Sequence, residues 1–282
     1  MSRAAKASRL HFKKKKIKKM TVVEAIENGN CEQLQHCIVS GFDFNKTIKI
    51  SHSEDQYWLA LPFCLAIERH SANSKDIMEL ILKTGIDLDK RSSPIQMYEE
   101  EGGQIHYNHK NTYLHMAIKA KNMDAILLLI KYGADLNATN LFDTTPLQFA
   151  VSFQFWTAVD LLISHNAIKQ TPSTYVIPGL LCWGQFELIT KLVAAGYNIR
   201  LEIAELREDL KGCFFSQEEL LFINNILDRA KSPDSLLQCC RKSIRQCLGS
   251  NCNTKAIDTL ELPTDLADFL SLKLLWLRFS IL

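Results

Sequence analysis

At 282 residues and 47% apolar side chains, the chain can hold one or two folded domains and is too apolar for global disorder. The net charge of +2 is uneven: residues 1–20 hold nine Lys or Arg and no acid, which leaves 24 basic against 31 acidic residues in the body, about −7, and argues against a nucleic-acid-binding protein. Nine cysteines without a C-x-x-C pair, behind an N-terminus with no apolar stretch, argue against a zinc site and a secretory leader and point to reduced, buried or interface thiols in the cytoplasm or nucleus.

Residues 1–20 are expected to be a disordered basic tail, because like charges repel; an import signal, an anionic-surface tether and a plain solvated tail are all open readings. Beyond it the chain repeats itself. Thr112, Leu114, Ala117, Ala125, Leu128, Leu129 and Ala134 recur 33 positions later as Thr145, Leu147, Ala150, Ala158, Leu161, Leu162 and Ala167. That period suits two short helices and a turn, a unit that must stack on copies of itself to bury its apolar face. Gly41, Gly85, Gly133, Asn166 and Gly196 anchor five copies over residues 21–200, since Gly and Asn tolerate the left-handed conformation that closes a helix. Seven residues before the anchors stand Leu34, Met78, Ile126, Val159 and Ile189. Four before stand Cys37, Ile81, Leu129, Leu162 and Leu192, and three before stand Ile38, Leu82, Ile130, Ile163 and Val193. These offsets place each set on one helical face. Ala25, Ala117 and Ala150 lie sixteen before their anchors, where a small residue lets two helices approach; Cys64 to Ile67 fill this role in the second copy, and Leu180 marks the fifth as degenerate.

Two intervals are long, 44 residues from Gly41 to Gly85 and 48 from Gly85 to Gly133. The insertions near 46–60 and 90–110 are expected as loops on one face, often the binding face. Tyr57 and Trp58 in the first, and His106 and Tyr107 in the second, are candidate contacts for a bound protein substrate, because exposed aromatics make good anchors. His106 and His109 without a Cys or carboxylate at set spacing do not make a metal site. Residues 201–231 lose the repeat but keep a helical pattern through Leu220, Leu221, Ile223, Ile226 and Leu227, and are read as degenerate capping helices.

The segments Phe42-Asp43-Phe44-Asn45, Ile86-Asp87-Leu88-Asp89 and Ala134-Asp135-Leu136-Asn137, with Thr145-Pro146-Leu147-Gln148-Phe149-Ala150 and the related run Thr112 to Ala117, resemble the ankyrin repeat, in which Tyr113 replaces the usual Pro. The resemblance implies an all-α solenoid of helix-turn-helix repeats with β-hairpin loops, and a scaffold role for His115.

The last segment, residues 232–282, reads as a small helical module. Ser232-Pro233 is a helix start. Leu236, Cys240 and Ile244 follow at four-residue steps, extended by Leu248, and Gly249 stops the helix. Thr264 can cap a second short helix. About forty residues cannot bury a core alone, so the stripe must lie against the last repeats or a partner. Ser235, Leu236, Cys240 and Ile244 match the elongin-binding part of the SOCS box, and Leu262, Pro263, Leu266 and Phe269 resemble its cullin-binding part, with Asp265 where a second Pro is usual. The whole chain thus resembles the ankyrin repeat and SOCS box family. That resemblance implies elongin C and elongin B as partners through the first set of residues and a cullin, with cullin 5 favoured, through the second. The apolar end, Phe269 to Leu282, is too short to span a membrane and is interrupted by Lys273 and Arg278; packing on the module or a partner is expected, with an interfacial helix as the alternative.

No Gly-rich phosphate loop, H-E-x-x-H or G-x-S-x-G occurs, so neither a cofactor nor catalysis is expected, and Cys240 on an apolar stripe reads as a buried thiol rather than a nucleophile. The resemblance implies a non-catalytic substrate-recognition subunit of an elongin B/C-cullin-RING ubiquitin ligase, which binds targets through the repeats and promotes their ubiquitination and degradation. The alternative is an ankyrin-repeat scaffold or nuclear adaptor without ligase recruitment.

Overall fold

The computed structural model describes residues 22–51, 56–69, 73–91, 95–98, 104–105, 111–171, 175–199, 202, 216–231, 236–248, 257, 259–260 and 262–272. Two compact units divide at Phe142 and Asp143.

The first unit holds three helix pairs: α1 (22–27) with α2 (Cys31–Val39), α3 (Pro62–Glu68) with α4 (Ser74–Leu82), and α5 (Tyr113–Lys119) with α6 (Met123–Tyr132). The second holds α7 (Pro146–Ser152) with α8 (Trp156–Ser164) and α9 (Val176–Cys182) with α10 (Phe186–Ala195), followed by α11 (Gln217–Lys231), α12 (Leu236–Leu248) and α13 (Thr264–Leu270). In the first unit α2 packs on α4, α4 on α6 and α3 on α5; in the second α7 packs on α9 and α8 on α10. The fold is the helical ankyrin arrangement expected from the repeat.

All five anchors are left-handed, with φ of 76° at Gly41, 75° at Gly85, 86° at Gly133, 59° at Asn166 and 111° at Gly196. The residues seven and four before them are buried in every copy, whereas Ile38, Ile130 and Val193 at the third offset are only half-buried. A second left-handed residue falls twelve positions before the anchor in four copies, at Gly29, Lys121, Gln154 and Gly184, where the chain turns between the paired helices. In the degenerate fifth copy the close approach has moved by one residue. A Cβ built on Gly179 would lie 2.7 Å from Val151 Cγ1 in α7, so Gly179 does for α9 what alanine does elsewhere, and Leu180 fills the core.

Short polar side chains tie neighbouring copies. Asn122 caps α6 by accepting from Ala125 N at 3.0 Å and donates to Ile67 O at 3.0 Å. Behind the anchors, Asn45 Oδ1 accepts from Asp87 N and Asp89 Oδ1 from Asp135 N, both at 2.9 Å. Asp43, Asp87 and Asp135 also accept from the backbone two residues on, as Asp135 does from Asn137 N at 2.9 Å. Thr145 and Gln148 form a reciprocal box at the start of α7, with Thr145 N donating to Gln148 Oε1 at 2.7 Å. His115 does the same work in α5: it is buried, with Nδ1 2.8 Å from Thr112 Oγ1. Tyr113, in place of Pro, packs edge-on against Phe63 with ring centroids 4.9 Å apart, and its hydroxyl has no hydrogen-bond partner among the described residues.

The insertions were expected as loops and instead share one sheet. Strands β1 (Ile48–Ser51), β2 (Gln56–Ala60), β3 (Ile95–Tyr98) and β4 (Gln104–Ile105) run antiparallel in the order β1-β2-β3-β4. Ile50 pairs with Trp58, Trp58 with Gln96, and Gln96 with Ile105. A lone hairpin leaves a strand edge of unpaired N–H and C=O groups. Here β2 and β3 satisfy each other's inner edges.

Candidate functional site

The C-terminal module gains its geometry from the two faces of α12. Successive residues turn by about 100°, so a four-residue step drifts by about 40° along the helix. Cys240 and Ile244 stand on the outer side: Cys240 is exposed and Ile244 is 37% exposed, with Cys239, Ser243, Gln246 and Cys247 also open to solvent. Arg241 and Arg245 occupy the buried side. Accumulated drift carries Leu248 round to that side, where it packs with Ile257, Leu262, Ala267 and Leu270. Leu248 therefore leaves the stripe into which the four-residue spacing had placed it. Cys240 and Ile244 are not buried on the repeats.

Arg245 was not singled out from the sequence, where a charge on an amphipathic helix reads as a solvated face. It is 1% exposed. Its Nη1 donates to Leu270 O at 2.8 Å, and its Nη2 to Ile163 O at 2.9 Å and Ser164 O at 3.3 Å. Those acceptors are the final carbonyls of α13 and α8, where a helix gathers partial negative charge, and this offsets the cost of burying the cation. Asn166 Nδ2 donates back to Arg245 O at 3.3 Å. The one anchor that is not glycine thus combines the left-handed turn with a bond to α12. Burial and then the neighbouring Arg245 charge push the Arg241 guanidinium down to about 10. Over Gly196, the Lys242 stem comes within 3.0 Å of where a Cβ would sit. Together these contacts hold the inner side of α12 to the ends of α8 and α10.

In α13, Leu270 is buried and Leu266 37% exposed; just before the helix, Leu262 is half-buried and Pro263 exposed. Pro263 takes the cap position, with no side-chain cap bond, and Thr264, expected as the cap, is the first helical residue. Leu236 opens α12 and Phe269 lies in α13, both placed by backbone alone. Ser235, Ser232-Pro233, Gly249, Asp265's side chain and the segment 273–282 lie outside the described residues.

Tyr57 and Trp58 fall on β2, an inner strand paired on both sides, rather than on an exposed loop. His106 and Tyr107 lie outside the described residues. The exposed aromatic and aliphatic residues found on turns are others: Leu141 and Phe142 in the first unit, and Tyr175 and Trp183 in the second. The repeat pattern could have pointed to them, since each occupies a connection between helices.

Cys37 and Cys64 are buried as expected, and burial, with the Glu68 charge, pushes the Cys64 thiol up. Cys182, Cys239, Cys240 and Cys247 are exposed, three of them on α12; Cys240 had been expected as a buried thiol, and the others as buried or interface thiols. Among the described residues no cluster of His, Cys, Asp and Glu could hold a metal ion, and no helix is long and apolar enough to cross a membrane.

Residues 232–271 match the SOCS box family, and residues 114–163 match the family described as ankyrin repeats (many copies). Among curated proteins, alpha-latrotoxin-Lg1a of Latrodectus geometricus is 31% identical over 132 residues, which is 46% of this chain and 8% of the toxin. Alpha-latrotoxin-Lt1a of Latrodectus tredecimguttatus is 43% identical over 53 residues, which is 19% of this chain and 4% of the toxin. The chain spans less than a tenth of the length of these relatives. Ankyrin repeats joined to a SOCS box support, in general, a non-catalytic substrate-recognition adaptor for cullin-RING ligases.

Proposed function

We propose that this chain, which carries the repeats and the box of the ankyrin repeat and SOCS box family, is the substrate-recognition subunit of an elongin B/C-cullin-RING ubiquitin ligase. The carrying observation is the orientation of α12. Its inner side is locked by Arg245 and Leu248, and the side that bears Cys240 and Ile244 faces outward. An apolar strip held open in this way suits a partner's groove. Leu236, Cys240 and Ile244 would enter elongin C, and Leu262, Pro263, Leu266 and Phe269 would meet the cullin, with cullin 5 favoured. A protein target would be held by the repeats. The chain would contribute proximity, raising the effective concentration of target lysines near the ubiquitin-loaded enzyme, and would do no chemistry itself. It would work in the cytoplasm, with the basic tail giving access to the nucleus.

The test is co-expression with elongin B and elongin C followed by size exclusion. A ternary complex that is lost on Leu236→Ala with Cys240→Ala, while helical content is kept, supports the reading. Elution of the folded chain alone would sink it and leave a scaffold.

A further inference from the structure

Elongin docking gives work to the outer side of α12 and none to Arg245, one residue after Ile244 and turned to the inner side. A guanidinium is a planar fork with donors on two separate nitrogens. Here one nitrogen serves the end of α13 and the other the end of α8. A single side chain therefore joins its own helix to two others, and the return bond from Asn166 closes the contact from the repeat side. The bearing of α12 about its own axis is set at this point, and so is the direction in which Cys240 and Ile244 face. Lysine could not do this: its ammonium is one compact charge and cannot sit in two helix ends at once.

We propose that Arg245 is a positioning residue that clamps α12 to the end of α8, so that elongin B and elongin C are held at one fixed orientation to the repeats of the second unit. The proposal rests on the elongin-docking reading above. It separates two duties. Affinity for elongin would come from the outer side of α12, and the angle at which the ligase is carried would come from the buried cation.

The test uses the full chain with spin labels introduced as unnatural amino acids at Thr157 on α8 and Gln246 on α12, both exposed, the latter about 160° round the helix from Ile244 and so off the docking stripe. Distance distributions are measured by double electron-electron resonance, free and saturated with elongin B and C. The unsubstituted chain should give one narrow distance in both states. Arg245→Met should lose it, and the loss should persist with elongin bound. If Arg245 merely helped α12 to fold, elongin binding would restore the narrow distance, and the proposal would be overturned; a free Arg245→Met distribution like that of the unsubstituted chain would also overturn it. Should Arg245→Met not fold, Arg245→Lys decides: a broadened distance supports the clamp, and an unchanged one overturns it. A chain that binds no elongin refutes the docking reading, while the free-state comparison still tells whether Arg245 holds α12 to α8.

Discussion

Ile244→Ala and Leu270→Ala remove similar volumes from opposite sides of the same small module, and they should have opposite signatures. Truncation to Ala takes away roughly three methylene-sized groups, each contributing about 0.8 kcal/mol when buried. Ile244 is 37% exposed in the free chain. About a third of the gain, roughly 0.9 kcal/mol, is therefore still to be collected when a partner covers it, which corresponds to about a fourfold loss of elongin affinity. The part already covered limits the cost to the free chain to about 1.5 kcal/mol. Leu270 is 1% exposed and packs against Ile257. Its truncation should cost about 2–5 kcal/mol of stability through lost transfer energy and a residual cavity. Urea denaturation gives the stability changes, and calorimetric titration with elongin B/C gives the affinities. If Ile244→Ala destabilises the free chain as much as Leu270→Ala does, α12 does not face outward as described. An unchanged elongin affinity for Ile244→Ala would remove this side chain from the interface.

Three further outcomes are expected. Gly133→Ala meets no atom within 4 Å of the new Cβ, so its cost should be backbone strain alone, about 1–2 kcal/mol; Gly196→Ala adds a 3.0 Å approach to Lys242 and should cost more in the same denaturation assay. Tyr113→Phe removes a buried hydroxyl without a partner and should hold or raise the melting temperature. Burial, before any nearby charge, raises both Tyr113 and Tyr197, so the folded state keeps protons that the unfolded state releases. Their stabilisation is complete below about pH 10 and is lost as pH rises further, and the double Phe variant should show a shallower alkaline decline of melting temperature. Iodoacetamide should label Cys240 in the free chain and spare Cys64; elongin B/C should protect Cys240, and equal labelling with and without elongin would contradict docking at that face.

What could be read from the sequence follows from how local each cause is. The anchors were legible because left-handed backbone admits few residue types, and Gly or Asn at a regular spacing betrays it. The second set of left-handed turns was not, because Lys121 and Gln154 occupy two of its positions and neither residue type signals such a turn. Offsets of three and four found the core of the second helices, since one helix face is a local property. Strand pairing is not local: the lengths of the two insertions were visible, but nothing near Trp58 says that it lies opposite Gln96. The module's outer stripe was found by spacing, but whether Cys240 faced the repeats or solvent depended on Arg245 and Leu248. A buried arginine on an amphipathic helix is indistinguishable by pattern from a solvated one until its acceptors, the ends of α8 and α13, are in place.

The shared sheet also constrains how this chain can change by inheritance. Arrays of this kind gain and lose members by duplication or deletion of whole units. Here β2 precedes α3 and β3 follows α4, so the second helix pair lies between two strands that pair with each other. A deletion that removed β1 and β2 with that pair would leave β3 with β4 alone, and a duplication of β3 and β4 with α5 and α6 would add a hairpin with no strand waiting for it. The stretch from Gly41 to Gly133 is therefore expected to pass between descendants as one indivisible block.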